Sequence, residues 1–386
     1  MRSATKQKHT QHHHVWLAIC HYVLGFLKKN AVLCIATVAA IVTCCIVPPD
    51  SKYLGYFDWK TLTCLFCVLA VVCALRNIRF FTFLARKIVT LFKNTRASIL
   101  ALVYITFLGS MLIANDMALL TFLPLGFFVL SSTGKQKYMA FTFIMQNIAA
   151  NLGGMLTPFG NPQNLYLYTK FNIPTGEFVA TMLPPFCISV ALITLCCMFV
   201  KKEPLALEEE KIVLPKTKTV IYLLLFALSI VIVFRVIPFW IGLIVIPIAL
   251  LFMDRKALLK VDYGLLLTFV MFFIFSGNMA RIPAVQSLFG NLMQKSPLLV
   301  SVFSCQIISN VPSAILLSQF TADWHSLLVG VNIGGVGTLI SSLASLITFR
   351  EYTSKTEGKA GKYVLLFSAF NFAFLGVLTL VEFFIL

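Results

Sequence analysis

Four apolar runs in this 386-residue chain are interrupted at their centres. At that depth a bilayer offers the backbone no water, so broken helix is tolerated only where protein covers it or it lines a cavity. Residues 97–130 carry Asn115-Asp116, and residues 297–322 carry Ser309-Asn310-Val311-Pro312. Residues 137–168 hold three glycines and two prolines over 152–164, and residues 325–348 hold Gly334, Gly335 and Gly337. Around them lie apolar runs at 31–47, 60–75, 177–200, 219–234, 237–253, 263–277 and 363–385. A helical span needs roughly 17–25 such residues. Charged residues make up only 12% of the chain, against roughly 25% in a soluble domain. The chain is therefore an all-α polytopic membrane protein, which excludes a soluble, disordered, collagenous or disulfide-stapled fold.

The two runs with polar centres read as re-entrant hairpins, in which the chain enters, turns at the polar tip and leaves on the same side. The charges support this. With the N-terminus cytoplasmic, nine full spans and both hairpins re-entrant, the inside segments hold 25 Lys and Arg. The outside segments hold only Lys52, Lys60, Lys170, Arg235, Arg281 and Lys295. That is the positive-inside pattern, and it sets the C-terminus outside. The net charge of +17 is thus spent on orienting helices, not on nucleic acid.

The chain also repeats itself. Gly153-Gly154 matches Gly334-Gly335, and Thr157 matches Thr338; Asn147-Ile148 and Asn332-Ile333 precede the glycine pairs. Asp58-Trp59 opens one span and Asp262-Tyr263 another. Each is followed by an amphipathic segment, a hairpin with a central Asn and a glycine-broken span. In the topology above the halves lie in opposite orientations, the inverted repeat of many secondary transporters. The expected organisation is a cytoplasmic tail with an interfacial helix (1–30), a first repeat (31–200), a linker loop and connecting helix (201–236) and a second repeat (237–386).

The breaks and tips are the candidate site. Pro158 and Pro162 cannot continue regular helix. Freed carbonyls there can ligate a cation, and a half-helix N-terminus can face an anion. The candidates are Asn151, Gly153, Gly154, Thr157, Gly160, Asn161, Gln163 and Asn164, with close helix packing on the glycines as the alternative. In the second break Gly334, Gly335, Thr338, Ser341, Ser342 and Ser345 offer a pseudosymmetric half-site or, again, close packing. Asn115, Ser309, Asn310, Pro312 and Ser313 complete the tips. Asp116 is the one acid this topology sets deep in the membrane, where an ionisable group is costly and usually functional. It can bind Na+, carry a proton, or cap the following helix. No Lys or Arg falls in the two tips or the two breaks. An anion would be held by backbone dipoles, amides, hydroxyls and a co-bound cation; a small neutral or cationic substrate fits equally.

Other chemistry finds no foothold. The 11 cysteines lie mostly in apolar segments, and the Cys64–Cys67 pair has no second ligand pair at metal spacing. His12, His13 and His14 belong to the polar tail. There is no zinc-protease, phosphate-loop or hydrolase-elbow motif, so no enzyme activity is expected.

Ala-Asn-Asp-Met-Ala-Leu-Leu-Thr-Phe-Leu-Pro-Leu (114–125), Thr-Pro-Phe-Gly-Asn-Pro-Gln-Asn-Leu (157–165) and Ser-Asn-Val-Pro-Ser-Ala-Ile-Leu-Leu (309–317) resemble motifs of the ion transporter superfamily. This superfamily takes in citrate-transporter-like permeases, divalent anion:sodium symporters, arsenite permeases and some sodium/proton antiporters. The resemblance covers about residues 30–386 in element order. It implies a scaffold domain and a moving transport domain, often in a homodimer within membrane lipids. It implies a secondary active transporter for a small anion, a di- or tricarboxylate or an inorganic oxyanion, in the inner membrane. The coupling ion would be Na+ or H+, with no other cofactor and no metal. Dicarboxylate symporters carry Ser-Asn-Thr at both tips. Here the tips read Asn-Asp-Met and Ser-Asn-Val, and the first is closer to arsenite permeases. That departure favours the alternative, an arsenite-type permease or a Na+/H+ antiporter using Asp116.

Overall fold

A computed structural model describes residues 30–205 and 212–386. The expected tail over 1–29, with its interfacial helix and histidines, and the linker acids Glu208, Glu209 and Glu210 lie outside them. Regular structure among the described residues is helical, apart from an isolated bridge between Asn94 and Pro204. The first half runs α1 (Ala31–Ile46), α2 (Trp59–Asn77), α3 (Phe80–Val89), α4 (Thr95–Ile113), α5 (Asn115–Ser132), α6 (Met139–Gly153), α7 (Pro162–Lys170) and α8 (Thr175–Met198). Then come α9 (Lys216–Val233), α10 (Phe239–Met253) and α11 (Arg255–Leu259). The second half continues with α12 (Tyr263–Met279), α13 (Pro283–Lys295), α14 (Pro297–Ile308), α15 (Asn310–Leu317), α16 (Trp324–Ile333), α17 (Leu343–Lys355) and α18 (Ala360–Ile385).

The helices begin where polar caps stand. Asp58 accepts from the Thr61 amide at 2.9 Å, and its repeat counterpart Asp262 accepts from Leu265 at 2.9 Å. Asn94, Ser296 and Asp323 cap α4, α14 and α16 in the same way. Each satisfies an amide that the first helical turn leaves without a partner. Among the described residues six helices are long and apolar enough to cross a membrane alone: α2, α4, α5, α8, α9 and α18. The arms of the first hairpin, 19 and 18 residues, are both among them, whereas those of the second have only 12 and 8. Two full crossings and a re-entrant loop alike return the chain to its starting side. The spans expected at 137–168 and 325–348 are each two short helices flanking an irregular break.

The chain forms two compact units. The described part of the smaller holds residues 30–57 and Asp262–Met279, with α1 packed along α12. Its polar knot is Asn278, which accepts from the Tyr56 hydroxyl at 3.2 Å and donates to Thr43 Oγ1 at 3.3 Å. Gly277 makes room for the Tyr56 ring, which a Cβ would meet at 2.5 Å.

The larger unit, Asp58–Val261 and Ala280–Leu386, holds both hairpins and both breaks. Its packing obeys the repeat. With α4 to α8 equivalent to α14 to α18, α4 packs on α6 as α14 packs on α16, and α5 packs on α17 as α15 packs on α7. Likewise α10 packs on α2 in this unit, the counterpart of α1 on α12 in the other. Each broken helix therefore lies against the opposite repeat's hairpin, as well as its own. Helices α9 and α11 have no counterpart among the described residues.

A strap at the start of the linker closes the base of the first hairpin. Glu203 O accepts from Thr95 N at 2.9 Å, Leu205 N donates to Lys93 O at 3.0 Å, and Arg96 Nε donates to Val200 O at 2.7 Å. The Glu203 carboxylate receives Lys135 at 2.6 Å, Lys137 at 2.5 Å and the Tyr138 hydroxyl at 3.0 Å. Hydrogen bonds from Lys135, then Lys137, hold this carboxyl well below its ordinary range, at about 2. The clasp is therefore intact above the ordinary carboxylate range and is lost only as pH falls through about 2. The Glu203→Gln variant at pH 7 is expected to speed tryptic cleavage after Lys201 and Lys202 about two- to fivefold, the scale of exposed ion pairs. The wild-type strap should stay equally protected in a tolerant protease from pH 7 to about pH 5. Unchanged cleavage in the variant would show that the carboxylate does not hold the strap.

Candidate functional site

Both hairpins turn on a single non-glycine residue in a backbone region that glycine almost monopolises. Ala114 has φ 63° and ψ 151°, and Ser309 has φ 75° and ψ 160°. Such conformations cost of order 1–3 kcal/mol each and persist where surrounding structure enforces them, often at functional sites. The next residue, Asn115 or Asn310, opens the inner arm. Its Oδ1 accepts from the following amide, Asp116 N or Val311 N, at 2.9 Å in both tips.

The breaks are tied to the outer hairpin arms by matching bonds. Thr157 Oγ1 donates to Met111 O at 2.7 Å, and Thr338 Oγ1 donates to Gln306 O at 3.1 Å. A side-chain amide then satisfies the freed carbonyls of each break. Asn164 Nδ2 reaches Gly154 O at 3.1 Å, Met155 O at 3.2 Å and Thr157 O at 3.3 Å. Gln306 Nε2 reaches Gly334 O at 2.9 Å and Val336 O at 3.3 Å, while its Oε1 accepts from Thr338 N at 2.9 Å. Gly160 permits the first loop to fold back, because a Cβ there would strike Gly154 O.

The halves then meet through their asparagines. Asn151 Oδ1 accepts from Asn115 Nδ2 at 3.1 Å and from Ser342 Oγ at 2.8 Å. Asn332 Oδ1 accepts from Asn161 Nδ2 at 3.3 Å and Gln163 Nε2 at 3.4 Å, and its Nδ2 donates to Asn164 Oδ1 at 2.6 Å. Asn147 Nδ2 donates to Ser345 Oγ at 3.3 Å, and Thr348 Oγ1 donates to Asn147 Oδ1 at 3.3 Å. Asn310 N and Ser309 Oγ both donate to Ser341 O, at 2.9 and 3.2 Å. Two buried acceptors in this network, Asn161 Oδ1 and Gln163 Oε1, have no hydrogen-bond partner.

Thus Asn115, Asn151, Gly154, Thr157, Gly160, Asn161, Gln163 and Asn164 come together with Ser309, Asn310, Ser341, Ser342 and Ser345. Gly335 stands between the amides of the second tip and the first broken helix, since a Cβ would lie 3.1 Å from Asn310 Nδ2 and 3.7 Å from Asn151 Oδ1. Thr338 serves the outer arm. Ser313 is occupied inside its own hairpin, with Ser304 Oγ at 2.8 Å and Ser309 O at 2.7 Å. Pro312 lies buried in the first turn of α15 and brings no donor. Gly153 and Gly334 are approach points: a Cβ on Gly153 would strike Phe107 O, and one on Gly334 would sit 2.9 Å from Cys305 Sγ. Asp116 is half-buried in the first turn of α5, where the helix dipole favours an acid, and Val311 is its counterpart.

Sequence reasoning missed Asn332, Gln306 and Thr348 as site residues and misplaced one match. Asn332 corresponds to Asn151, not Asn147, as the shared Asn-x-Gly-Gly spacing could have revealed. Arg76 brings its Nη1 to 3.6 Å from Met117 Sδ beside the first tip. Glu382, near the end of α18, is an acid that the structure buries.

With this geometry in view, comparison with known proteins is direct. Residues 22–328 match the citrate transporter family profile. An uncharacterized transporter of Methanocaldococcus jannaschii is 33% identical over 313 residues, covering 80% of this chain and 85% of that protein. The inner membrane protein YbiR of Escherichia coli is 31% identical, covering 76% of this chain and 80% of that one. The silicon efflux transporter LSI3 of rice is 28% identical over 160 residues, 41% of this chain and 32% of its own. Among solved structures, the YdaH transporter of Alcanivorax borkumensis aligns at TM-score 0.47 and 13% identity, covering 86% of this chain and 88% of that chain. The chain belongs to the citrate transporter family, and is an integral membrane transporter.

If the first tip is held in strain by its surroundings, Ala114→Gly should raise stability. Relief of 1–3 kcal/mol, set against glycine's entropy cost of 0.5–1 kcal/mol, leaves a gain on the order of 1 kcal/mol. Unfolding of the purified protein measures it; a loss of stability would contradict the strained tip.

Proposed function

We propose that the protein is a secondary transporter moving a small anion, a di- or tricarboxylate or an inorganic oxyanion, across the inner membrane with Na+ or H+. One observation carries this reading. Two hairpin tips and two helix breaks meet in a buried network of amides and hydroxyls that leaves two acceptor oxygens, Asn161 Oδ1 and Gln163 Oε1, without a partner. Hard cations prefer oxygen ligands of this kind. Helices α5, α7, α15 and α17 all start at the tips and breaks, where their first amides favour negative charge. A cation beside an anion would offset the desolvation that each suffers alone. The N-terminus lies inside and the C-terminus outside, as the charge split requires.

Asp116 supports a second reading, an arsenite-type permease or a Na+/H+ antiporter. It stands next to Asn115 at the tip, and the second repeat has Val311 there. The likeness to a silicon efflux transporter adds weakly acidic hydroxylated solutes to the candidates.

The test is purified protein in liposomes loaded with a pH dye. Citrate, succinate, sulfate, arsenite, silicic acid and Na+ are pulsed outside, with and without Asp116→Asn. Uptake or a pH change tied to one anion is the expected result. A response to Na+ alone, lost in the variant, would replace anion transport with antiport. Full transport by Asp116→Asn would remove Asp116 as the proton carrier.

A further inference from the structure

The site network has a property that neither half has alone: its central amides reach into the opposite repeat. Asn151 and Asn332 stand at equivalent places, two residues before Gly153-Gly154 and Gly334-Gly335. Both are buried at the ends of α6 and α16. Asn151 could be satisfied within its own repeat by Asn115, yet its Oδ1 also takes the Ser342 hydroxyl at 2.8 Å. Ser342 caps α17, so this bond fixes where the second half-helix starts. Asn332 uses both ends of its amide on residues of the first break, Asn161, Gln163 and Asn164, at 2.6–3.4 Å. Asn161 and Ser342 are themselves equivalent, at the same distance past the glycine pairs. The Asn332–Asn161 and Asn151–Ser342 bonds are therefore one interaction made twice.

We infer that Asn151 and Asn332 are positioning residues that lock the two half-sites together, so that neither break changes shape without the other. The inference rests on the site reading above. A buried amide that loses its partner pays the full desolvation penalty, so a shift of Asn161 or Gln163 toward a bound ion disturbs Asn332 directly. Asn332 leads to Gly334-Gly335, and Gly335 lies between Asn310 Nδ2 and Asn151 Oδ1. Occupancy of the first break is thereby transmitted to the second tip and back. This supplies the physical link that obligatory coupling of an ion to a substrate requires, since coupling needs an element whose state both sites bias.

Hydrogen exchange on the full-length protein tests this without any ligand. Asn332→Ala is expected to raise exchange about tenfold across residues 159–165 of the opposite repeat. Ser342→Ala, a milder lesion, should raise it at 115–118 and at the end of α6. Ser342→Thr keeps the hydroxyl and should hold the wild-type pattern. Changes confined to the mutated repeat would overturn the inference. So would a Ser342→Thr pattern like that of Ser342→Ala, because the effect would then be packing rather than the hydrogen bond. A failed transport panel with exchange spreading across repeats would sink the transport reading alone; transport with local exchange would sink the coupling alone.

Discussion

Backbone that leaves a helix inside a bilayer must find its hydrogen bonds in protein, because no water is there to supply them. Both breaks in this chain meet that requirement with side-chain amides. Asn164 takes three carbonyls of the first break, and Gln306 takes two of the second. Asn164 is held in turn by Asn332 of the second repeat, and Ser342, which caps the helix after the second break, is held by Asn151 of the first. Rigidity and chemistry thus have the same source. The oxygens left over, on Asn161 and Gln163, are buried without a hydrogen-bond partner.

The repeat is close in architecture and unequal in detail. Tips, threonine ties and cross-repeat bonds come in matched pairs, down to the positive φ of Ala114 and Ser309. The first hairpin nonetheless has longer arms, its break contains two prolines where the second has none, and only its tip carries an acid. The first break is rich in amides and the second in serines. Pseudosymmetry of packing gives two comparable halves, while these differences make the two breaks chemically unlike.

Much of this was legible in the sequence because the bilayer penalises exceptions so heavily. A Pro-Phe-Gly-Asn-Pro run in an apolar stretch has few explanations besides a helix break, and the structure brings its polar residues together with those of the second break. The Asp58 and Asp262 caps were visible as local signals. What sequence could not reveal was which residue satisfies which carbonyl. Gln306 looks like an isolated polar residue in an apolar helix, and only the fold sets it against Gly334 and Val336. Asn332 was hidden by a register error of four residues, one helical turn, which keeps the same helix face. The approach of Arg76 to Met117 depends on tertiary packing. At Gly153 and Gly334 sequence left ligand position and close packing both open, and the structure shows close helix approach at each.

The central claim is that the two repeats meet through their amides to make one site. A double-mutant cycle between Asn164→Ala and Asn332→Ala, read by unfolding of the purified protein, addresses it most directly. These side chains belong to different repeats and are 2.6 Å apart. Partners in one buried network couple by roughly 0.5–3 kcal/mol, and that is the predicted result. Additivity to within about 0.3–0.5 kcal/mol, as for independent positions, would contradict the account.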